Sequence, residues 1–543
     1  MKLKKFDFKL PRDELRKKKI IITSISAIAL ILIITIASTF AYYQSIENQN
    51  PINTSVGEFS SGDVIFAVTI DGVPSNTFPV KGGVYISSSV ICDKGAAGIW
   101  NNNEWTIIVS NLTQSKTTCT INFIDNPGNS VIEKDESMIA IMYNGSTWVK
   151  ADESNQNATY NWYDYDAYQW ANAVSVTASS RATYQSAAVG TTVNEADILA
   201  YYVYIPRYRY QLFNANNGVV EPLSINIEFE HKSEQKSTGS NNGEWLTHPA
   251  FTFGNTELAG IWVGKFETSA DPASSCYTSP SQANCQTTAI TPRIKANATS
   301  WIVTNVSTMF QVTRDMQKNG NIYGLSTDKV DSHMMKNVEW GAVAYLYHSK
   351  YGKFGNPAYS GVNKEIWINP YSSNPLHRTG CAGSGPSVSS GTTCNQYNTA
   401  NGLQASTTGT IYGIYDMSGG AYEYVMGNMN NASGQFYSGS SGFGTAPDSK
   451  YYDSYVHDDS SQTSHSRGKL GDATRETMRS GFGISGSGAW YADYSYLPYS
   501  TNPWVFRGGH AVTTTVAGVF ASANLTGGAN NSFSWRIVIV PIG

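Results

Sequence analysis

The apolar positions of this chain change period several times, and each change marks an expected element. From Ile20 to Phe40 run 21 residues without a charge, rich in Ile, Leu and Ala. At 1.5 Å per residue such a run spans about 31 Å as a helix, enough to cross a hydrocarbon core. A polar connector follows over 43–54. Residues 55–125 then take a period of two: Val64, Phe66, Val68 and Ile70 alternate with Ile65, Ala67 and Thr69, and Asp71-Gly72 signals a hairpin. Cys119, Ile121 and Phe123 share one face of an expected last strand. Two β-like runs, 138–143 and 147–150, stand in segment 126–195, which reads as the lead-in to a large domain over 196–543. In that domain only two helices are expected. One starts near Ser307, with Met309, Val312 and Met316 on one face and Gly320 as its stop. The other starts at Asn337 as N-cap, with Val338, Ala342, Tyr345 and Leu346 inward and Gly352 as its stop. The rest is short strands between Gly/Ser/Asn-rich loops.

Charge gives the first run an orientation. Residues 1–19 carry nine Lys/Arg and three Asp/Glu, whereas the whole chain nets −4, so everything after them nets −10. Arg16, Lys17, Lys18 and Lys19 abut the apolar run. The positive-inside rule therefore predicts a cytoplasmic tail over 1–19, an anchor over 20–42 and an extracellular body. A cleaved signal peptide is the competing reading. The run exceeds the usual 7–15-residue h-region, and 37–41 makes a poor cleavage site. Charged residues are 14% of the chain, well below the ~25% usual for soluble domains, and the acidic body offers no electrostatic footprint for nucleic acid.

The six cysteines fall into neighbouring pairs: Cys92 with Cys119, Cys276 with Cys285, Cys381 with Cys394. Outside a membrane an even count reads as disulfides; about fifteen connectivities are possible and nearest-neighbour pairing is the simplest. No Cys or His spacing matches a zinc site. The cluster Trp162, Tyr163, Tyr165, Tyr168 and Trp170 suggests carbohydrate stacking, but its mixed spacing favours packing against the neighbouring domain.

Five motifs stand in order over the large domain. They are Tyr202-Val203-Tyr204-Ile205-Pro206; Gly260 to Gly264 running into Lys265-Phe266-Glu267-Thr268; Asn337-Val338-Glu339-Trp340; Tyr415-Asp416-Met417-Ser418-Gly419-Gly420-Ala421-Tyr422-Glu423-Tyr424-Val425; and Phe506-Arg507-Gly508-Gly509 with Ser534-Trp535-Arg536-Ile537. Together they resemble the formylglycine-generating-enzyme (sulfatase-modifying factor) family. That resemblance implies an α+β, loop-rich, C-type-lectin-like domain behind the transmembrane helix and the small all-β domain, which itself resembles short β spacers of low-GC Gram-positive surface proteins. Tyr422 and Tyr424, two apart in an extended segment, face one way and Glu423 the other. Arg507 and Arg536 are expected buried, tethering loops through their five donors.

Enzymes of that family use a cysteine pair between the Arg-Gly-Gly turn and the last strand, and bind copper through it. The stretch from Gly508 to Trp535 contains no cysteine, so the expectation is a binder without catalytic residues. A cofactor-dependent oxidoreductase of the sulfatase-activating type and a structural envelope protein are the alternatives. The resemblance also implies a possible calcium turn through Gly419 and Glu423, calcium requiring six to eight oxygens.

A second resemblance lies at the C-terminus. Arg507-Gly508-Gly509, Ala517-Gly518-Val519-Phe520-Ala521 and Ser532-Phe533-Ser534-Trp535-Arg536 look like the end of variable proteins diversified by retroelements. Between these pieces lie His510, Ala511, Val512, Thr513, Thr514, Thr515 and Val516, then Asn524, Thr526, Asn530 and Asn531. Small polar and β-branched residues without apolar periodicity fit exposed loops. These residues are expected to bind a surface ligand, protein or glycan.

Overall fold

In the computed structural model the chain divides into two units, residues 1–81 with 86–124, and residues 82–85 with 125–543. The structure describes residues 132–542 except 156, 158, 214–220, 233–235, 374–375, 480–485 and 487; in the first unit it describes the backbone of five strands. There Ile52–Ser55 pairs antiparallel with Ala67–Ile70, so the expected connector gives its last residues to a strand. Glu104–Val109 lies between Thr77–Pro79 and Ala96–Asn101. The basic tail, the apolar run 20–40, Cys92 and Cys119 lie outside the described residues. Among the described residues no helix is long and apolar enough to cross a membrane.

The second unit is sheet-rich and loop-rich, of mixed α+β composition. Its larger sheet has seven strands in the spatial order Val330–Met334, Ile537–Pro541, Gly260–Gly264, Ile198–Pro206, Asn172–Val176, Ile139–Tyr143 and Trp148–Lys150. Every neighbouring pair is antiparallel. All nine residues of Ile198–Pro206 are buried, which explains a run with no polar alternation. Segment 126–195 is more than a lead-in, because three of these strands come from it. The aromatic cluster there packs inward: Trp162, Tyr163, Tyr165 and Trp170 are buried, and Trp162 stacks on Trp262.

The smaller sheet runs Asp453–Tyr455, Tyr422–Met429, Trp504–Gly508, Gly518–Leu525, with Phe533–Trp535 parallel to Tyr422–Met429. One residue, Arg536, separates Phe533–Trp535 from Ile537–Pro541, so the chain crosses from one sheet to the other there. Arg536 is fully buried. Its Nε donates to Glu423 Oε2 at 3.0 Å and its Nη2 to Glu423 Oε1, while Nη1 and Nη2 donate to the carbonyls of Gly264 and Tyr415. Arg507 is likewise buried, donating to the carbonyls of Ala473 and Val519.

Both expected helices form. In Val306–Arg314 the cap is Asn305, whose side chain accepts from Thr308 N–H, and Met309, Val312 and Met316 are buried. In Asn337–Tyr347 the cap is Lys336, one residue before the expected Asn337; Glu339 accepts from the Lys336 N–H. All eleven residues of this helix are buried, so it is a core helix and not an amphipathic one. Its Gly341 allows a close approach: a Cβ there would meet Gly471 O at 1.8 Å. The loops are tied by Cys276–Cys285 and Cys381–Cys394, the two nearest-neighbour bridges within the described residues.

Two stability outcomes follow from the buried charges. Arg536→Ala leaves Glu423 buried without its counter-charge, and breaking a buried pair from one side costs about 3–5 kcal/mol. Denaturant unfolding should show a loss of that size, and a loss under about 1 kcal/mol would mean the pair is dispensable. Glu476 is buried, accepting from Tyr210, Tyr345 and Gly471 N–H. Burial raises its carboxyl from 4.5 to about 7. Because the folded state holds this proton more tightly, its contribution is complete below pH 4.5 and is lost as pH rises through 7. Relative to Glu476→Gln, the native chain should therefore lose up to roughly 3 kcal/mol over that window. A pH-independent difference between the two melts would refute this.

Candidate functional site

The outer face of the smaller sheet follows from the period of its strands. In Trp504–Gly508 only Phe506 is partly exposed, and in Gly518–Leu525 only Ala523 and Leu525 are. Phe506 pairs across the sheet with Tyr424 on one side and Ala523 on the other. Tyr422 is half-buried at the start of its strand. The rings of Tyr422, Phe506 and Phe533 meet pairwise, at 4.8 Å for Tyr422–Phe506 and 4.9 Å for the other two pairs. Beyond the Gly518–Leu525 edge, Ser495 forms a parallel bridge to Ser522. Its neighbours Tyr494 and Tyr496, half-buried with ring centroids 5.8 Å apart, extend the aromatic surface. Burial, and Tyr494 after it, push the Tyr422 hydroxyl up to about 12.

On the opposite side of the strand, Glu423 faces Arg536, as the alternation requires. Burial pushes the Glu423 carboxyl up to about 7 even though Arg536 opposes it. Both oxygens of Glu423 are engaged by a guanidinium, so the residue named as a calcium ligand does not fit that role. Gly419 and Gly420 do form a tight turn with positive φ. At Gly420 a Cβ would lie 2.3 Å from Glu267 Oε1, which accepts from the Ala421 N–H. The turn is thus closed by a side chain of the chain itself. Among the described residues no group of three or more His, Cys, Asp or Glu is placed to hold a metal ion.

The residues expected to bind ligand divide between surface and interior. Val512 is 52% exposed and Thr515 and Asn531 are exposed. Thr513, Thr514, Val516, Thr526 and Asn530 are half-buried. Three are not on the surface, which corrects the expectation. Ala511 is buried, with its N–H on Gly420 O. Asn524 points inward, donating to Leu497 O at 2.9 Å and to Gln462 Oε1. Strand period is the reason: Ala523 and Leu525 face out, so Asn524 cannot.

His510 is the third. It stacks on Tyr422 with centroids 4.9 Å apart, and its Nε2 lies 3.2 Å from His377 Nε2. Val512 N–H points at His510 Nδ1, so the His510 proton sits on Nε2 and faces His377. Burial, reinforced by His377, lowers His510 to about 3; burial lowers His377 to about 4. Both rings are neutral at neutral pH. Loop 510–516 is thereby pinned at its root by a ring stack and a ring–ring hydrogen bond, while Val512 and Thr515 stand free of packing.

Sequence reading missed Tyr422, Phe506, Phe533, Tyr494 and Tyr496 as site residues. Period-two alternation through Trp504-Val505-Phe506-Arg507 was the signal for Phe506. Nothing local marks Tyr494 and Tyr496, which reach the surface through a nonlocal bridge.

No protein-family model matches the chain, and no curated protein matches it. No family model supports the formylglycine-generating-enzyme resemblance. A solved structure, Treponema denticola variable protein 1, matches at 12% identity over 63% of this chain and 96% of that one, with a TM-score of 0.24. That likeness is too slight to argue fold or function from.

Loop tips and loop roots should respond differently to substitution. Val512→Ser and Thr515→Ala should change stability by no more than about 0.5 kcal/mol. Asn524→Ala, which strips a buried carbonyl of its donor, should cost about 1–3 kcal/mol. Equal melting temperatures for all three variants would contradict this placement.

Proposed function

We propose that the chain is a membrane-tethered cell-surface binding protein whose C-type-lectin-like head holds its ligand, a protein or a glycan, on the Tyr422–Phe506–Phe533 surface. One observation carries this reading. A contiguous aromatic patch, partly exposed at Tyr422 and Phe506 and seated on the buried Phe533 ring, lies on a sheet rather than on a loop, framed by 510–516 and 526–531. Aromatic side chains supply large contact area at low conformational cost, which is why binding faces favour them. The framing loops carry small polar residues that can vary without disturbing the sheet, the form of the reading that the C-terminal resemblance to diversified variable proteins implies. Anchoring by residues 20–40, with this unit extracellular, agrees with the two disulfides.

Glycan-array and surface-protein screens with the full chain test the reading. Tyr422→Ala with Phe506→Ala should weaken capture of the ligand found by at least about tenfold, the size of one interface anchor. Loop substitutions at Val512, Thr515 and Asn531 should redirect or lower affinity with an unchanged melting temperature. Undiminished binding in both sets of variants would place the binding face elsewhere.

A further inference from the structure

A cavity of about 810 Å³ lies where the Pro249–Phe253 segment, the start of the Asn337 helix and loops 448–453 and 469–470 meet. Its volume falls within the range of small-ligand pockets, roughly 300–1,000 Å³. Three lysines line it, Lys336, Lys450 and Lys469. The Phe253 ring organises two of them: Lys336 Nζ lies 5.5 Å and Lys450 Nζ 4.9 Å from its centroid. Phe253 itself stacks on His333 at 4.8 Å and meets Tyr451 edge-on at 5.6 Å. Lys469 Nζ lies 6.0 Å from the Tyr455 ring.

Two carboxylates line the same cavity, Asp448 and Asp453, and each is engaged by backbone. Asp453 Oδ2 accepts from Val338 N–H at 2.8 Å, and Asp448 Oδ1 from Lys450 N–H at 3.1 Å. Lys336 is shared with Glu339 at 3.6 Å, and Lys450 stands 3.9 Å from Asp331. Among the lining residues alone, three lysines stand against two carboxylates, with Lys450 and Lys469 both partly exposed. Asn255, Thr256 and Ser449 add neutral polar groups around them.

We infer that this cavity binds a phosphate ester of a sugar or polyol, the phosphate held by Lys450 and Lys469 and the hydroxyls by Asn255, Thr256 and Ser449. Lysine ammonium groups suit phosphate as point charges where no planar bidentate clamp is present. A bare phosphate would leave most of the volume to water, whereas an ester fills it and uses the neutral groups. Asp448 and Asp453 keep their charge when a backbone N–H donates to them, so phosphate binding here depends on the one lysine of the lining in excess of its two carboxylates.

Calorimetric titration of the full chain with glucose 6-phosphate, glucose and inorganic phosphate tests the inference. The ester should bind with a Kd of about 1 mM or tighter, and inorganic phosphate about tenfold more weakly. Glucose should give no heat. The ester's affinity should fall as salt is raised. Lys450→Ala with Lys469→Ala should lose at least about tenfold. If that pair fails to fold, Lys450→Gln alone should show a reduced affinity with a native melting temperature. Absence of ester binding, equal binding by glucose or by inorganic phosphate, or binding untouched by the lysine substitutions would each overturn the site.

Discussion

The guanidinium of Arg536 joins the two sheets of the large unit. It stands in the single residue between a strand of the smaller sheet and a strand of the larger one, and donates to both. Glu423 lies on the smaller sheet, Gly264 at the end of a strand in the larger, and Tyr415 in the loop leading to the Gly419–Gly420 turn. An apolar residue at 536 could fill the volume, but it could not satisfy a carboxylate and two carbonyls from three segments at once. Five donors in a rigid fork can. Desolvating such a pair is costly, so its value lies less in net stability than in fixing which segments meet.

Other buried polar groups repeat this logic where secondary structure is sparse. Lys265 Nζ donates to Asn172 Oδ1 and to the carbonyls of Ile411 and Gly413, and burial drives its ammonium well below the usual lysine value. Glu267 takes the Ser300 hydroxyl and the Ala421 N–H; burial, with Asp416 and Glu423 adding to it, raises its carboxyl well above the ordinary range. Lys353 donates to the carbonyls of Glu365 and Gln404, and burial lowers it to about 7. Backbone carbonyls in long loops have no ladder partners, and burying them unpaired would cost more than burying a lysine that satisfies two or three at once.

How much of this was legible in the sequence depended on the range of the interaction. Strands at Tyr202–Pro206 and Gly260–Gly264 were implied by the family resemblance, and Glu423 opposite Tyr422 by strand period alone. The two disulfides followed from nearest neighbours. Asn337 was misplaced as a cap because its side chain is a capping type, yet Glu339 closes on Lys336 instead. The Asn337 helix was expected to bury only the face of Val338, Ala342, Tyr345 and Leu346, whereas the fold also packs its other side, with Gly341 directly against Gly471 O. The loop reading failed at His510 and Asn524 for one reason: polar residues were taken as exposed, but each finds a partner far along the chain, His377 for one and Leu497 for the other. Composition separates polar from apolar; it does not reveal which polar groups have been given a partner.

That distinction explains how a fold with so much loop can still present a defined surface. The 510–516 loop leaves the sheet at Gly508–Gly509, returns at Ala517–Gly518, and is held by the Tyr422–His510 stack and the His510–His377 hydrogen bond. Its root is fixed by groups that cannot change without penalty, so Val512 and Thr515 at its tip are relieved of any part in folding. The aromatic patch is fixed in the same way from beneath, through Glu423 and Arg507 on the opposite face of the strands that carry Tyr422 and Phe506. Surface and stability are therefore divided by the two-residue period of a strand: one side chain faces the tether and the next faces the solvent, and substitution of the second need not disturb the first.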